Sequence, residues 1–290
     1  MSKIKKAVLP VAGFGTRLLP ATKALPKELL PLVDTPILQL LVEEAVAAGA
    51  EEIIFVVSPE KAAIRDYFAG TGALEELLEK KGKTDELVQI QKVQKLARFH
   101  FVEQNEPLGD GHAVLQAREL VGNEHFFVLF GDDIVRSKVP VAAQLAAVHE
   151  WTGGPVVALQ EVTPDQISSY GIVQPRDRRE RLIEIGGFVE KPAPAEAPSN
   201  LGIVGKYICP PDIFEILAKS PSESGEIRLI DALAELAKSK SVFGLLFEGE
   251  RFDTGSKAGY VEAFIAAALA HPETAERTKE YLKRIAAQSK

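Results

Sequence analysis

The stretch LPVAGFGTRLLPATKALPKELLPLVDTP, from Leu9 to Pro36, gathers groups that handle anions. Gly13 and Gly15 permit close backbone approach, so nearby amides can meet a phosphate or a base edge, and Arg17 and Lys27 supply positive charge. Two common phosphate-binding designs do not fit. Leu18 stands where a dinucleotide fingerprint needs its third glycine, and no Gly-Lys-Ser/Thr closes a P-loop. Pro20, Pro26, Pro31 and Pro36, five or six residues apart, each remove an amide donor and fix φ. That spacing disfavours a continuous helix and predicts an extended, stiff loop.

Carboxylates that could work with these cations follow later. In FFVLFGDD, Asp132 closes an apolar run, where a strand-end side chain faces a crevice, and RFDTGS contributes Asp253. Two such groups suit Mg²⁺, which takes a few hard oxygens together with phosphate and water. Asp133 would face the opposite side of an extended chain and is left out of the set. Ser256 is expected to cap the helix starting at KAGYVEAFIAAALA. Glu190-Lys191-Pro192 offers an acceptor for sugar hydroxyls and an ammonium for a phosphate. Taken alone, that tripeptide is better explained as a solvated ion pair before a proline loop.

The elements that must position these groups are legible in the hydrophobic pattern. KAVLPV (6–11), EIIFVV (52–57), FHFVEQ (99–104) and FFVLF (126–130) are short β-rich runs separated by helix or loop. PILQLLVEEAVAAGA has apolar residues at helical spacing with Gly49 as a C-cap, and DGHAVLQAREL reads as a short helix. This alternation implies parallel strands with crossover helices and a ligand crevice beyond the strands' carboxyl ends. In the second half GPVVALQEV, YGIVQP, RLIEIGGFVE and LGIVGKYICP crowd together, as antiparallel additions to the sheet or as a small β subdomain. Residues 70–98 read as a charged helical insertion, residues 190–200 as a Pro/Ala-rich connection, and residues 256–290 as C-terminal helices for packing or subunit contact.

Composition bounds the rest. A chain of 290 residues, 46% of them hydrophobic, can bury a substantial core, and one domain with appendages is expected. Cys209 is the only cysteine, so no intrachain disulfide forms. No stretch reads as a signal peptide or membrane span, and a cytoplasmic setting is expected. The 34 basic and 41 acidic residues leave a net charge of −7, which argues against nucleic acid or a membrane surface as partner. An anionic substrate therefore needs clustered cations or a metal.

The opening string, with VEQNEPLGDGHAV, FGDD, YGIV, FVEKP, NLGIVGKY and RFDTGS, resembles the signatures of the sugar-1-phosphate nucleotidylyltransferases. Within that family the chain is similar to the branch that uses UTP and glucose 1-phosphate, the insertion before residue 99 included. The resemblance implies a fold with a mixed, mainly parallel Rossmann-like sheet flanked by helices. Residues 1–255 would form the nucleotidyltransferase domain, with residues 155–210 as its sugar-binding β region. It also implies uridylyl transfer with Mg²⁺, and a homodimer or homotetramer. A sugar phosphate, with a second pKa near ~6, is largely dianionic at neutral pH and is already a nucleophile. Catalysis then consists mainly of alignment and charge neutralisation.

Residue by residue, the resemblance assigns Arg17, Lys27, Asp132 and Lys191 to the transfer, and Asp132 and Asp253 to the metal. It assigns Ala12, Gly13, Gly15, Glu28, Gln104 and Gly109 to the nucleotide, where a glutamine amide suits the imide edge of uracil. Gly171, Glu190, Lys191 and Gly205 fall to the sugar phosphate. For His112, packing or capping is a better account than catalysis, because the transfer needs no imidazole, and the other histidines are scattered. Three alternatives stay open: a relative using dTTP, CTP, ATP or GTP, a catalytically weak regulatory relative, and an NAD(P)-dependent oxidoreductase. The missing third glycine opposes the last, and retention of Arg17, Lys27, Asp132, Lys191 and Asp253 opposes the second.

Overall fold

The β-branched and aromatic runs form one nine-stranded sheet in the computed structural model, which describes residues 3–70, 72–219 and 225–288. Thr71 of the expected insertion, Ser289 and Lys290 of the expected terminal helices, and residues 1–2 and 220–224 of the expected domain lie outside the described residues. In chain order the strands are β1 (Lys6–Pro10), β2 (Pro31–Leu32), β3 (Thr35–Pro36), β4 (Glu52–Val57), β5 (Arg98–Glu103), β6 (Phe126–Leu129), β7 (Asp133–Arg136), β8 (Val156–Glu161), β9 (Gly171–Arg179), β10 (Leu182–Glu190), β11 (Leu201–Cys209), β12 (Val242–Leu246) and β13 (Glu250–Asp253). The helices are α1 (Ile37–Ala47), α2 (Ala62–Ala69), α3 (Ala73–Lys80), α4 (Thr84–Gln94), α5 (Asp110–Gln116), α6 (Arg118–Val121), α7 (Val141–Thr152), α8 (Ile213–Lys219), α9 (Leu229–Leu236), α10 (Lys257–Ala270) and α11 (Ala275–Gln288).

The sheet order is β5-β4-β1-β6-β11-β8-β12-β10-β9. Its first four strands are all parallel. β4, β1 and β6 are apolar at successive positions because helices cover both faces, while the edge strand β5, RFHFVE, is mixed and only partly buried. Ala7 and Leu9 of β1 point toward a core shared with Leu38 and Leu41 of α1, Phe68 of α2 and Leu145 of α7. Val8, between them, points the other way, into a core built with Val114 of α5, Phe214 of α8 and Leu233 of α9. Beyond β6 the character changes. β11 runs antiparallel to β6 and β8, and β10 antiparallel to β12 and β9, while β8 and β12 are parallel. The crowded second-half strands are thus additions to the same sheet, which is the expected mixed sheet, parallel across its first four strands and again between β8 and β12.

Three further departures affect the site. The proline-rich opening loop is not extended: Thr16–Leu18, Ala21–Lys23 and Lys27–Leu29 are single 3₁₀ turns. Fixed proline φ values are as compatible with a short 3₁₀ turn as with extended chain, so the spacing excluded a long helix without selecting an extended path. β12 and the ribbon of β7 with β13 escaped the pattern reading; β7 and β13 have four residues each, and a ribbon that short depends on its partner. A buried ion pair also crosses layers: Lys206 of β11, fully buried, places Nζ 2.8 Å from Glu44 Oε2 of α1, whose Oε1 accepts the Ala142 N–H of α7 at 3.1 Å.

Past the ribbon, Ser256 caps α10 as expected, its Oγ accepting the Gly259 N–H at 3.1 Å. Among the described residues no helix is long and apolar enough to cross a membrane.

Candidate active site

The four parallel strands end side by side, so whatever follows them shares one edge of the sheet. Gln104 follows β5, Ser58 follows β4, the Ala12–Gly15 turn follows β1, and Asp132 lies just past β6. Ladder bonds continue into these segments, with Val11 N–H donating to Val56 O and Gln104 N–H to Val57 O, both at 2.8 Å. Gln104 and Asp132 stand three strand spacings apart, roughly 14 Å. An elongated ligand can therefore lie along the edge with one end at each residue.

At the Asp132 end, cations and carboxylates converge from distant segments. Lys27 Nζ donates to Asp132 Oδ2 at 2.7 Å, and Arg17 Nη2 lies 3.4 Å from the same oxygen. Arg17 Nη1 also lies 3.9 Å from Asp253 Oδ2. The loop turn depends on Gly15, which has φ 65°. A Cβ there would be strained and would sit 3.2 Å from Lys27 Cβ. Thr22 Oγ1 closes the turn by donating to Gly15 O at 2.8 Å. Burial alone would raise the Asp132 carboxyl, yet Lys27 and Arg17 hold it below the usual carboxylate range. Burial likewise works against the Lys27 ammonium, and Asp132 with Glu28 outweighs it, leaving its pKa raised. Both groups are therefore charged at neutral pH.

Two braces hold this cluster in place. In the β7–β13 ribbon Asp253 pairs directly with Asp133, which places their side chains on one face. Arg251, two residues from Asp253, forms an ion pair with Asp133 and donates to Tyr170 Oη at 2.7 Å. Asp133 Oδ2 also accepts the Gly205 N–H at 2.8 Å, and any side chain at Gly205 would collide with that carboxylate and with Phe130. Gly205 is thus tied to the frame through Asp133. Thr254 completes the attachment, its N–H and Oγ1 donating to Asp132 O at 2.9 and 3.0 Å.

The second brace lies beneath the loop. Glu28 is 1% exposed, and its Oε2 accepts from Lys61 Nζ at 2.8 Å. Lys61 also donates to Val11 O at 2.6 Å, so one ammonium links the loop, β1 and the segment after β4. Burial pushes the Glu28 carboxyl up and the Lys61 ammonium down, each against its partner's charge. Glu28, expected at the nucleotide, sits inside the loop's foundation.

At the other end of the edge, Gln104 is buried; its Nε2 donates to Gly109 O at 3.1 Å and lies 3.0 Å from His112 Nδ1. Gly109 adopts φ 106° at the start of α5. Gly13 is exposed, with open space where a Cβ would be, and Ala12 behind it is buried.

Between the Asp132 cluster and β9–β11 lies a cleft of about 340 Å³. Arg17, Asp132, Asp253, Gly171, Glu190 and Gly205 line it, as do Asp110, Asp133, Tyr170, Arg228 and Arg251; Asp133, expected to face the opposite side, opens on the same cleft because the chain turns between β6 and β7. Lys191 follows Glu190, and its ammonium lies 3.4 Å from Glu190 Oε1 with the side chain 59% exposed. Its backbone has φ 43°, an unfavourable conformation for a residue with a Cβ, held by its N–H donating to Tyr170 O at 3.1 Å.

Comparison with known proteins places nearly the whole chain in one family. The nucleotidyl transferase family matches residues 6–269. The chain belongs to that family. UTP–glucose-1-phosphate uridylyltransferase 2 of Staphylococcus saprophyticus is 46% identical over 286 residues, covering 98% of this chain and 99% of that one. A UDP-glucose pyrophosphorylase structure from Acinetobacter baumannii superposes with a TM-score of 0.91 at 38% identity, covering 97% of this chain and 99% of that one. A UDP-glucose pyrophosphorylase complexed with UDP-glucose superposes at 0.83 with 39% identity, covering 92% of this chain and all of that one.

Nucleotidyl transferases generally use a divalent metal, and the side chains here can be tested for it. Among the described residues no group of three or more His, Cys, Asp or Glu side chains could hold a metal. Two carboxylates do converge: a Cβ at Gly255 would come 2.5 Å from Asp132 Oδ2 and 3.0 Å from Asp253 Oδ1. Arg17 Nη2 lies 2.8 Å from the same point, so the guanidinium now sits between the carboxylates, whose oxygens are hard donors suited to a small divalent ion completed by phosphate and water.

Sequence reasoning on this nucleotidyl transferase missed Lys61, Arg251, Tyr170 and Asp110. Arg251 and Tyr170 stand inside quoted motifs, and strand alternation from Asp253 to Arg251 was a usable signal. Asp110 was placed only in a helix, where its Oδ1 accepts the Leu229 N–H at 3.0 Å. For Lys61, in SPEK, no local pattern marks a buried ammonium.

Proposed function

We propose that this chain makes UDP-glucose and pyrophosphate from UTP and α-D-glucose 1-phosphate. The observation that carries the reading is the full-length likeness to uridylyltransferases of that specificity, at 46% identity. In this reading an oxygen of the glucose 1-phosphate attacks the α-phosphorus of UTP. The bond from that phosphorus to the bridging oxygen of the β-phosphate breaks, and pyrophosphate leaves with the electron pair. No enzyme nucleophile and no general base are needed, because the attacking phosphate is already anionic.

The side chains then divide the work by position. Lys27 and Arg17, at the Asp132 end of the edge, draw the triphosphate in and offset its charge. Glu190 accepts from sugar hydroxyls, and Lys191 meets the sugar phosphate, the strained backbone at Lys191 aiming its side chain. Gln104, Gly109 and the Ala12–Gly15 turn take the base and ribose end. Asp132 and Asp253 would hold Mg²⁺, which when bound offsets the charge between the two polyanions.

Pyrophosphate release with glucose 1-phosphate and Mg²⁺ tests the reading, comparing UTP with dTTP, CTP, ATP and GTP and then varying the sugar phosphate. A marked preference for UTP and glucose 1-phosphate is expected, with some leakage to dTTP, since one methyl group is worth only about 1–3 kcal/mol of discrimination. Preference for another nucleotide would overturn the base assignment, and no release with any pair would overturn the enzyme reading.

A further inference from the structure

His112 stands one helical turn from Gln116 and directly beside Gln104, and the three side chains form a chain of contacts at the start of α5. The orientation of the Gln104 amide follows from chemistry. Gly109 O, which also accepts the Ala113 N–H at 3.1 Å, can only accept, so the Gln104 atom 3.1 Å from it must be the amide nitrogen. Of the two hydrogens on that nitrogen, one serves Gly109 O and the other points to His112 Nδ1 at 3.0 Å. Nδ1 must then be the acceptor, which puts the imidazole proton on Nε2. Gln116 Nε2 is drawn 3.0 Å from His112 Nε2, where two donors would meet. Turning the Gln116 amide so that its oxygen accepts from His112 Nε2 resolves this and gives up the 3.3 Å donation to His112 O.

We propose that His112 is a positioning residue for base selection. By accepting from Gln104 it commits both amide hydrogens inside the protein and leaves Gln104 Oε1, an acceptor, as the function the side chain can offer a base. A pyrimidine with an N3–H donor, uracil or thymine, matches that oxygen. Cytosine presents a lone pair at N3 and is repelled. Without His112 the amide hydrogen on that side loses its partner, and the side chain is free to swing or turn its NH₂ toward the base, which erases the distinction. The proposal rests on the reading that Gln104 lies at the base.

The test is the ratio of kcat/KM for UTP to that for CTP. In His112→Leu it is expected to fall about tenfold, through KM for UTP, with KM for glucose 1-phosphate unchanged. In His112→Asn, whose Oδ1 keeps an acceptor near the Nδ1 position, most of the ratio is expected to return. Equal losses for UTP and CTP in His112→Leu, or no rescue by asparagine, would reduce His112 to a packing residue and overturn the proposal. Gln104→Ala separates the two ideas. If it leaves the ratio unchanged, the base-site reading itself fails; if it collapses the ratio while His112→Leu does not, only the role of His112 fails. Nitrogen NMR of the unaltered protein gives a check that needs no variant to fold: the shifts should report an unprotonated Nδ1 and a protonated Nε2 at His112, and the opposite tautomer would overturn the proposal.

Discussion

At two places in this protein neighbouring charged residues take opposite jobs. Lys27 reaches Asp132 at the ligand edge, while Glu28 is buried under the loop against Lys61. Asp132 meets Lys27 and Arg17, while Asp133 is locked between Arg251 and the Gly205 amide. In the proposed reading the first member of each contrast does the chemistry and the second holds the frame. What separates them is solvent. Arg17 is 63% exposed and free to exchange partners, whereas Glu28 and Lys61 are 1% and 8% exposed at their side chains and have no water to fall back on. A brace of this kind holds the proline-punctuated loop in register, so that the facing cations arrive preorganised.

The comparison breaks first at the braces. Lys61→Met strands a buried carboxylate and should cost about 3–5 kcal/mol in denaturant unfolding, while Lys61→Met with Glu28→Gln should recover much of it. Equal losses in the single and double variants would mean that the pair is not a unit. The sign with pH follows from Glu28, whose folded pKa is raised above its unfolded value. The folded state then holds the extra proton, so stability tied to Glu28 is present at low pH and lost as pH rises through the folded pKa. The Lys61→Met deficit should therefore shrink as pH is lowered from about 7 to about 5, and a deficit that grows would contradict the assignment.

The ligand-facing side should show the reverse pattern, lost rate with an intact fold. Asp132→Asn is expected to lower kcat by about 10²–10³-fold while keeping the protein folded and lowering the unfolding midpoint less than Lys61→Met does. Near-normal Mg²⁺-dependent turnover would remove Asp132 from the transfer. Lys191→Ala should have the smallest effect. It is expected to raise KM for glucose 1-phosphate about tenfold, the scale of a hydrogen bond to a charged group, and leave KM for UTP unchanged. Matching losses for both substrates would move Lys191 off the sugar phosphate.

Much of the scaffold was legible because its signals are local. Runs such as EIIFVV and FFVLF must be strands buried on both faces, and PILQLLVEEAVAAGA can only be a helix with one apolar side. The charged candidates were legible as residue types beside strand ends. Their partners were not. Lys27 meets Asp132 across 105 residues and Arg251 meets Asp133 across 118, and neither distance leaves a trace in a local pattern. The loop path was misread for a related reason: proline restricts φ but does not choose between a 3₁₀ turn and extended chain until Thr22, Lys61 and Val11 close around it.

The sequence by itself determined which segments become the main strands and helices, and that the loops at one sheet edge carry glycine amides, cations and carboxylates. Backbone propensity and side-chain chemistry are properties of single residues and short windows, so they survive without the fold. Only the tertiary structure decided which partner each charged residue of a doublet meets, that Gly205 must stay bare against Phe130 and Asp133, and that His112 sits against Gln104. Those outcomes depend on burial and on contacts between segments far apart in the chain, where desolvation turns an ordinary ion pair into a brace or leaves it free to act.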